Sequence, residues 1–169
     1  MLGKEVNSYS KAQQLGNKPK AAPKIKTKKP KKKKKPYVHR GRIIPKKKER
    51  TKIEAADYNR MIDRYGNYCQ ECGHTPIAAH HLVFRSSIGT GNWRNLCPLC
   101  DKCHRRAHTS FEFAEYLRNK RAAELGPHFG KDKYTLFKER LIPNTEDSSY
   151  ERFMKGEEEH AAHSRKGNN

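Results

Sequence analysis

The chain has no run of roughly 18 consecutive apolar residues, so no transmembrane helix is expected. Its first twenty residues, Met1 to Lys20, contain no apolar h-region, so no secretory signal is expected there either. Cysteine is limited to five residues, and without a secretory context a disulfide framework is not expected. Apolar residues make up only 33% of the 169, matched by 33% charged residues. Spread evenly, that composition is too polar for a large core, so part of the chain is expected to be unfolded and the remainder to form one domain. Acid is nearly missing where base is densest: residues 18–52 hold 18 Lys and Arg against Glu49 alone, a net of +17. The whole chain carries +20, while residues 53–169 contribute only +2. A bias of this size points to a polyanionic partner, nucleic acid before membrane, and is silent on the fold.

The charge sits mostly in one arm. Lys31, Lys32, Lys33, Lys34 and Lys35 follow one another, and prolines stand at 19, 23, 30, 36 and 45. Like-charge repulsion and proline both oppose compact structure, so residues 1–52 are expected to be a disordered, extended arm. The arm suits non-specific attraction to DNA phosphates, with binding that falls steeply as salt rises. The plainer alternatives are a solubilising tail or a nuclear localisation signal. Tyr37, His39 and Arg40 have no spacing that marks a specific contact.

From Ile53 the composition changes. Ile53, Ala56, Tyr58, Met61, Ile62 and Tyr65 recur at three to four residues, predicting an amphipathic helix stopped by Gly66. Ile77–Phe84 reads as a strand, Arg85–Trp93 as a loop broken by Gly89 and Gly91, and Asn95–Leu99 as a short extended piece. A helix is expected from Asp101 to about Thr109. Further helices are expected from Phe111 to Gly126-Pro127, around Tyr134–Leu141, and briefly at Ser148–Met154. Residues 53–110 thus form the core, 111–156 a helical extension, and 157–169 a polar, disordered tail.

The chemistry concentrates between Cys69 and His108. Cys69-Gln-Glu-Cys72 and Cys100-Asp-Lys-Cys103 are two knuckles, each a tight turn that brings two thiolates to one ion. Together they supply the four sulfurs of a closed structural zinc site. The 27 residues between them exceed the roughly 15–20 of a minimal zinc ribbon, so the zinc is expected to pin the base of an inserted hairpin. Cys97 is left over and reads as a buried apolar thiol.

Four histidines share this frame. His104 and His108 lie one helical turn apart and face the same way. Cys103 is about 100° around the helix from His104, so one helix can serve the zinc with the first and a second site with the other. His80 and His81 are neighbours on a strand and point to opposite faces, so one can ligate while the other is aimed at a substrate. A lone histidine is more often a packed or surface residue; four at this spacing are not easily explained that way.

His80-His81, Asn95-Leu96 and Leu99-Cys100-x-x-Cys103-His104-x-x-x-His108 resemble the HNH nucleases, in particular the phage and prophage type with two zinc knuckles. Tyr58–Ile62 before the first knuckle, and Leu136-Phe137 through Ile142-Pro143-Asn144, resemble the flanks of that group. The resemblance covers about residues 65–110 and implies an α+β fold whose core is a small ββα-metal (His-Me finger) unit with structural zinc, flanking helices and a basic N-terminal arm. It implies His81 as the general base, and His80 and His104 as ligands of a catalytic divalent ion, with His108 matching the extra ligand of colicin-type members. Asn95 is expected to fix the loop and orient the base. Where many members have aspartate, this chain has His80, which favours Zn²⁺, Ni²⁺ or Mn²⁺ over Mg²⁺ more than a carboxylate would. The implied products carry 5′-phosphate and 3′-hydroxyl ends. Arg85, Arg94, Arg105 and Arg106 lie beside the motif and are candidates to clamp flanking phosphates, with solvated surface charge as the plainer reading.

The expected function is therefore metal-dependent hydrolysis of DNA phosphodiester bonds. The alternative is a zinc-stabilised DNA-binding module without hydrolysis, which needs neither His81 nor a second metal; a basic packaging accessory is a third reading that the arm alone allows. DNA is the expected partner and no membrane is. A homodimer would turn nicks into double-strand cuts. Phage packaging, recombination, restriction and homing are settings that no residue separates, and phage or prophage origin would place the protein in the bacterial cytoplasm.

Overall fold

The structure, a computed structural model, describes residues 37–166. It begins with two three-residue antiparallel strands, β1 (Tyr37–His39) and β2 (Arg42–Ile44), paired Tyr37 to Ile44 and His39 to Arg42. Arg40 and Gly41 turn the hairpin at φ 48° and 78°, the left-handed pair that a two-residue turn between right-twisted strands requires. A single helical turn, α1 (Lys47–Arg50), follows, with the Glu49 carboxylate accepting from the Lys46 backbone N–H. Residues 37–52 therefore depart from the extended arm expected of them. The reason is long-range: Ile44 is buried, and Arg50 binds Asp132, a partner 82 residues away. Lys31 to Lys35 lie outside the described residues.

Helix α2 (Ala55–Tyr65) ends where expected, at Gly66, whose φ of 83° suits glycine and whose N–H reaches the Ile62 carbonyl. Its Met61 and Tyr65 pack with Leu96 in one apolar cluster. Strand β3 (Ile77–His81) then pairs antiparallel with β4 (Leu96–Cys100), in register from Ile77 opposite Cys100 to His81 opposite Leu96. Helix α3 (Asp101–Thr109) leaves β4 without an intervening residue. β3, β4 and α3 form the ββα unit of an α+β fold, and among the described residues both sheets have two strands. β4 is buried along its whole length, whereas only His80 of β3 is fully buried, so the hairpin lies with β4 against the core.

Helix α4 (Phe111–Leu125) is capped by the Ser110 hydroxyl, which accepts from Phe113 N–H, and sends Phe113, Leu117 and Leu125 into a second cluster with Leu82, Leu99 and Ala107. α5 (Lys133–Lys138) starts at Asp132, whose carboxylate caps the Thr135 N–H. α5 is shorter than the pattern to Leu141 suggested. α6 (Asp147–Lys166) is much longer than the brief helix expected at 148–154: the segment read as a disordered tail is helical through Lys166. Tyr150 and Met154 close a third cluster with Leu136, Phe137 and Ile142, and Glu158 forms an ion pair with buried Arg94. Those tertiary contacts support a polar helix whose sequence shows little apolar stripe beyond Met154. Among the described residues, no helix is long and apolar enough to cross a membrane.

Candidate metal centres and active site

The two knuckles converge. The sulfurs of Cys69, Cys72, Cys100 and Cys103 lie within 4.8 Å of one another. Cys72 Sγ is 3.5 Å from Cys100 Sγ and 3.7 Å from Cys103 Sγ. Sulfurs at about 2.3 Å from a tetrahedral zinc would stand about 3.8 Å apart, so the spacing fits one ion and is far too long for disulfides. Local backbone bonds shape the first knuckle: Gly73 N–H donates to the Cys69 carbonyl, and Gly73 adopts φ 73°. Gln70 N–H donates to the Pro98 carbonyl, tying the knuckle to β4. Burial opposes ionisation of Cys69, but N–H groups of Cys100, Glu71 and Cys72 outweigh it and hold the thiol down to about 6, the direction a thiolate ligand needs. The cluster fits zinc. Cys97 stays apart, buried, its thiol pushed up to about 11 by desolvation.

A second cluster lies on the other side of the same helix. His80, from β3, meets His104 and His108, from α3, with one ring nitrogen from each within 4.8 Å of the others. The rings stand 4.8 to 5.0 Å apart between centroids. His80 is 1% exposed and its Nδ1 is buried without a hydrogen-bond partner. Burial, then the neighbouring imidazoles His104 and His108, push its pKa down to about 3. Burial also lowers His104. Three imidazoles brought together, one of them with a buried nitrogen that has no hydrogen-bond partner, form a donor set that fits a divalent ion. Phe84 stacks on His108 at 5.4 Å and meets His80 edge-on, walling one side of the cluster.

His81 takes the opposite side of β3, as strand alternation requires. It is half-buried, and its Nε2 lies 3.1 Å from the Thr51 carbonyl. Desolvation lowers its pKa from 6.5, against the Thr51 bond, which raises it. Asn95 is fully buried immediately before β4. Its Nδ2 donates to the carbonyls of Thr90 (2.7 Å) and Val83 (3.1 Å), and its Oδ1 accepts from Val83 N–H at 2.8 Å. Asn95 thereby laces the loop from Leu82 to Asn95 to itself, immediately beyond His81. The loop in turn rests on the arm: a Cβ at Gly91 would stand 1.8 Å from the Lys52 carbonyl oxygen, so only glycine permits that approach.

The four arginines separate. Arg94 is not free to clamp phosphate. Its side chain is 4% exposed, ion-paired to Glu158 at 2.7 Å and Glu151 at 2.9 Å, and stacked over Trp93. Burial between two carboxylates and an indole makes it internal, and the reading of Arg94 as a DNA contact is corrected accordingly. Arg85 is exposed, with Nε 3.4 Å from Thr51 Oγ1. Arg105 is exposed and paired to Asp101, and Arg106 lies over the Phe113 ring. Thr51, Arg50 and Arg121 escaped the sequence reading. Arg121 is buried and donates to the carbonyls of Arg94 and Leu96, bracing the strand that follows Asn95. Nothing in the local pattern marks these three, since each acts through a partner at least 25 residues away.

Residues 69–110 match the family model described as HNH endonuclease. The match runs from the first knuckle to one residue beyond α3 and encloses both clusters, His81 and Asn95. No curated protein matches the chain. The match points to a nuclease or DNA-binding unit at these residues.

Proposed function

Starting from an HNH endonuclease domain at residues 69–110, we propose that the chain is a metal-dependent endonuclease that hydrolyses DNA phosphodiester bonds. The observation that carries this reading is the bond between His81 Nε2 and the Thr51 carbonyl. A carbonyl only accepts, so Nε2 bears the proton and Nδ1 keeps its lone pair. An imidazole held in that tautomer, with a pKa below 6.5, takes a proton from water at neutral pH and acts as the general base. A module that only binds DNA has no use for such a poised imidazole.

His80, His104 and His108 would hold one divalent ion. Bound there, the ion would supply charge neutralisation at the phosphate and at the departing 3′ oxygen. Three neutral nitrogen donors favour Zn²⁺, Ni²⁺ or Mn²⁺ over Mg²⁺, which prefers oxygen ligands. Cys69, Cys72, Cys100 and Cys103 would hold a structural zinc, which would fix the hairpin to α3. Asn95 keeps the loop beyond His81 in one conformation. Arg85, Arg105 and Arg106 are exposed beside the motif and clamp flanking phosphates, while Lys31 to Lys35 attract DNA without sequence preference.

The test is nicking of supercoiled plasmid by wild type and His81→Ala across Mg²⁺, Mn²⁺, Ni²⁺ and Zn²⁺, with folding and zinc content checked for both. Metal-dependent nicking by wild type, reduced at least about 100-fold in the variant, is the expected result. Equal activity in the two proteins would remove His81 as the base. DNA binding without cleavage by either would favour the zinc-stabilised binding module.

A further inference from the structure

We infer that Arg50, Asp132 and Thr135 form a clamp that positions His81, so that the active site extends beyond the HNH match on both sides. The inference rests on the reading of His81 as general base. Arg50 Nε and Nη2 donate to the two carboxylate oxygens of Asp132, both at 2.6 Å, and Nη2 also donates to Thr135 Oγ1 at 2.6 Å. This is a two-pronged guanidinium–carboxylate pair, the most direction-specific of ion pairs. The two side chains are 9% and 12% exposed. Asp132 cannot swing away, because the same carboxylate caps α5 through Thr135 N–H.

One residue further on, Thr51 is 2% exposed and places its carbonyl 3.1 Å from His81 Nε2. With Arg50 anchored, the Thr51 carbonyl has little freedom to move or rotate. The same backbone also seats the catalytic loop. Gly91 N–H donates to the Arg50 carbonyl, and Thr90 N–H donates to Gly130, two residues from Asp132. Thr90 is the residue whose carbonyl binds Asn95. Segments 50–52 and 130–135 therefore hold the base and its loop from outside. A buried ion pair is a weak source of net stability, since desolvation offsets most of its attraction. What such a pair supplies well is direction, and a displacement of about 1 Å at a catalytic group can cost about 100-fold in rate.

The experiment uses the full chain and compares wild type, His81→Ala, Arg50→Gln, Arg50→Lys and Asp132→Asn. It measures steady-state cleavage of one DNA substrate, zinc content, thermal melting, and the imidazole ¹⁵N signals of His81, which distinguish Nε2–H from Nδ1–H. In wild type His81 is expected as the Nε2–H tautomer. In Arg50→Gln and Asp132→Asn we expect a mixture of tautomers and a kcat about 10- to 100-fold lower, with KM within about twofold and zinc retained. Arg50→Lys keeps the charge, loses the fork, and is expected to fold and to fall between. A rise in KM in the Arg50 variants, with Asp132→Asn unaffected, would make Arg50 a phosphate contact and overturn the clamp. Unchanged kcat and unchanged tautomer would overturn it too. Absence of cleavage by wild type would instead remove the nuclease reading; the imidazole signals would still report whether the pair sets the His81 tautomer.

Discussion

The cysteine cluster and the histidine cluster draw on the same hairpin and the same helix, yet they are closed differently. Two of the four sulfurs come from a loop ahead of β3, one from the last residue of β4 and one from the first turn of α3. A zinc there would tie the loop ahead of β3 to the junction of β4 and α3, with 27 residues between the two knuckles, and four thiolates would leave the site net negative. The histidine cluster uses only β3 and α3, with His80 buried and His108 exposed. Its neutral donors would leave a divalent ion its positive charge. Placed one residue apart on α3, Cys103 and His104 separate a site that holds structure from a site that can meet phosphate. On the proposed reading the first serves the fold's stability and the second its chemistry.

The largest effect should come from the sulfur side. Cys100→Ser is expected to lose the zinc and the cooperative melting transition. A structural zinc is worth about 10–16 kcal/mol in small domains, comparable to a domain's whole stability of about 5–15 kcal/mol. Metal content and a thermal melt check this, and a folded, zinc-free variant would erase the distinction between the sites. On the nitrogen side, His104→Ala should keep zinc and melt within a few degrees of wild type. Its affinity for Ni²⁺ or Mn²⁺, by titration calorimetry, should fall at least tenfold and nicking should reach background. Loss of zinc in that variant would mean that the clusters are not independent.

The pH dependence sharpens the chemistry of the second region. The base form of His81 is neutral and is populated above its pKa. Burial holds that pKa below 6.5, and a neighbouring divalent ion would push it the same way. The kcat should therefore stay level from about pH 8 to 6.5 and decline about tenfold per unit only at lower pH. An acid limb that begins above pH 6.5 would contradict the burial of His81. The smallest effect is expected where neither metal is involved. Glu158→Gln removes one of two carboxylates from Arg94, both partly open to solvent. It should lower stability by about 1 kcal/mol, read from a chemical melt, with both metals and kcat unchanged.

The convergence of the cysteines and of the histidines was legible because their spacing is a local property. Two Cys-x-x-Cys turns and His104-x-x-x-His108 are set by the geometry of a turn and of a helix, and the Asp101–Thr109 helix is the one anticipated. The opposed faces of His80 and His81 follow from strand alternation in the same way. Charge and composition misled where tertiary partners intervene. Residues 37–52 are ordered through Ile44 and Arg50 despite their basic run, and residues 157–166 are helical although they are mostly polar. Arg94 reads like any arginine beside a nucleic-acid motif, and only the approach of Glu151 and Glu158 from α6 turns it inward.

By itself the sequence determined the donor set, the ββα order and the basic character of the arm, since these follow from residue type and short-range periodicity. Only the tertiary structure decided which nitrogen of His81 keeps its proton, because the carbonyl that decides it belongs to Thr51, thirty residues away, and a backbone carbonyl carries no side-chain signature.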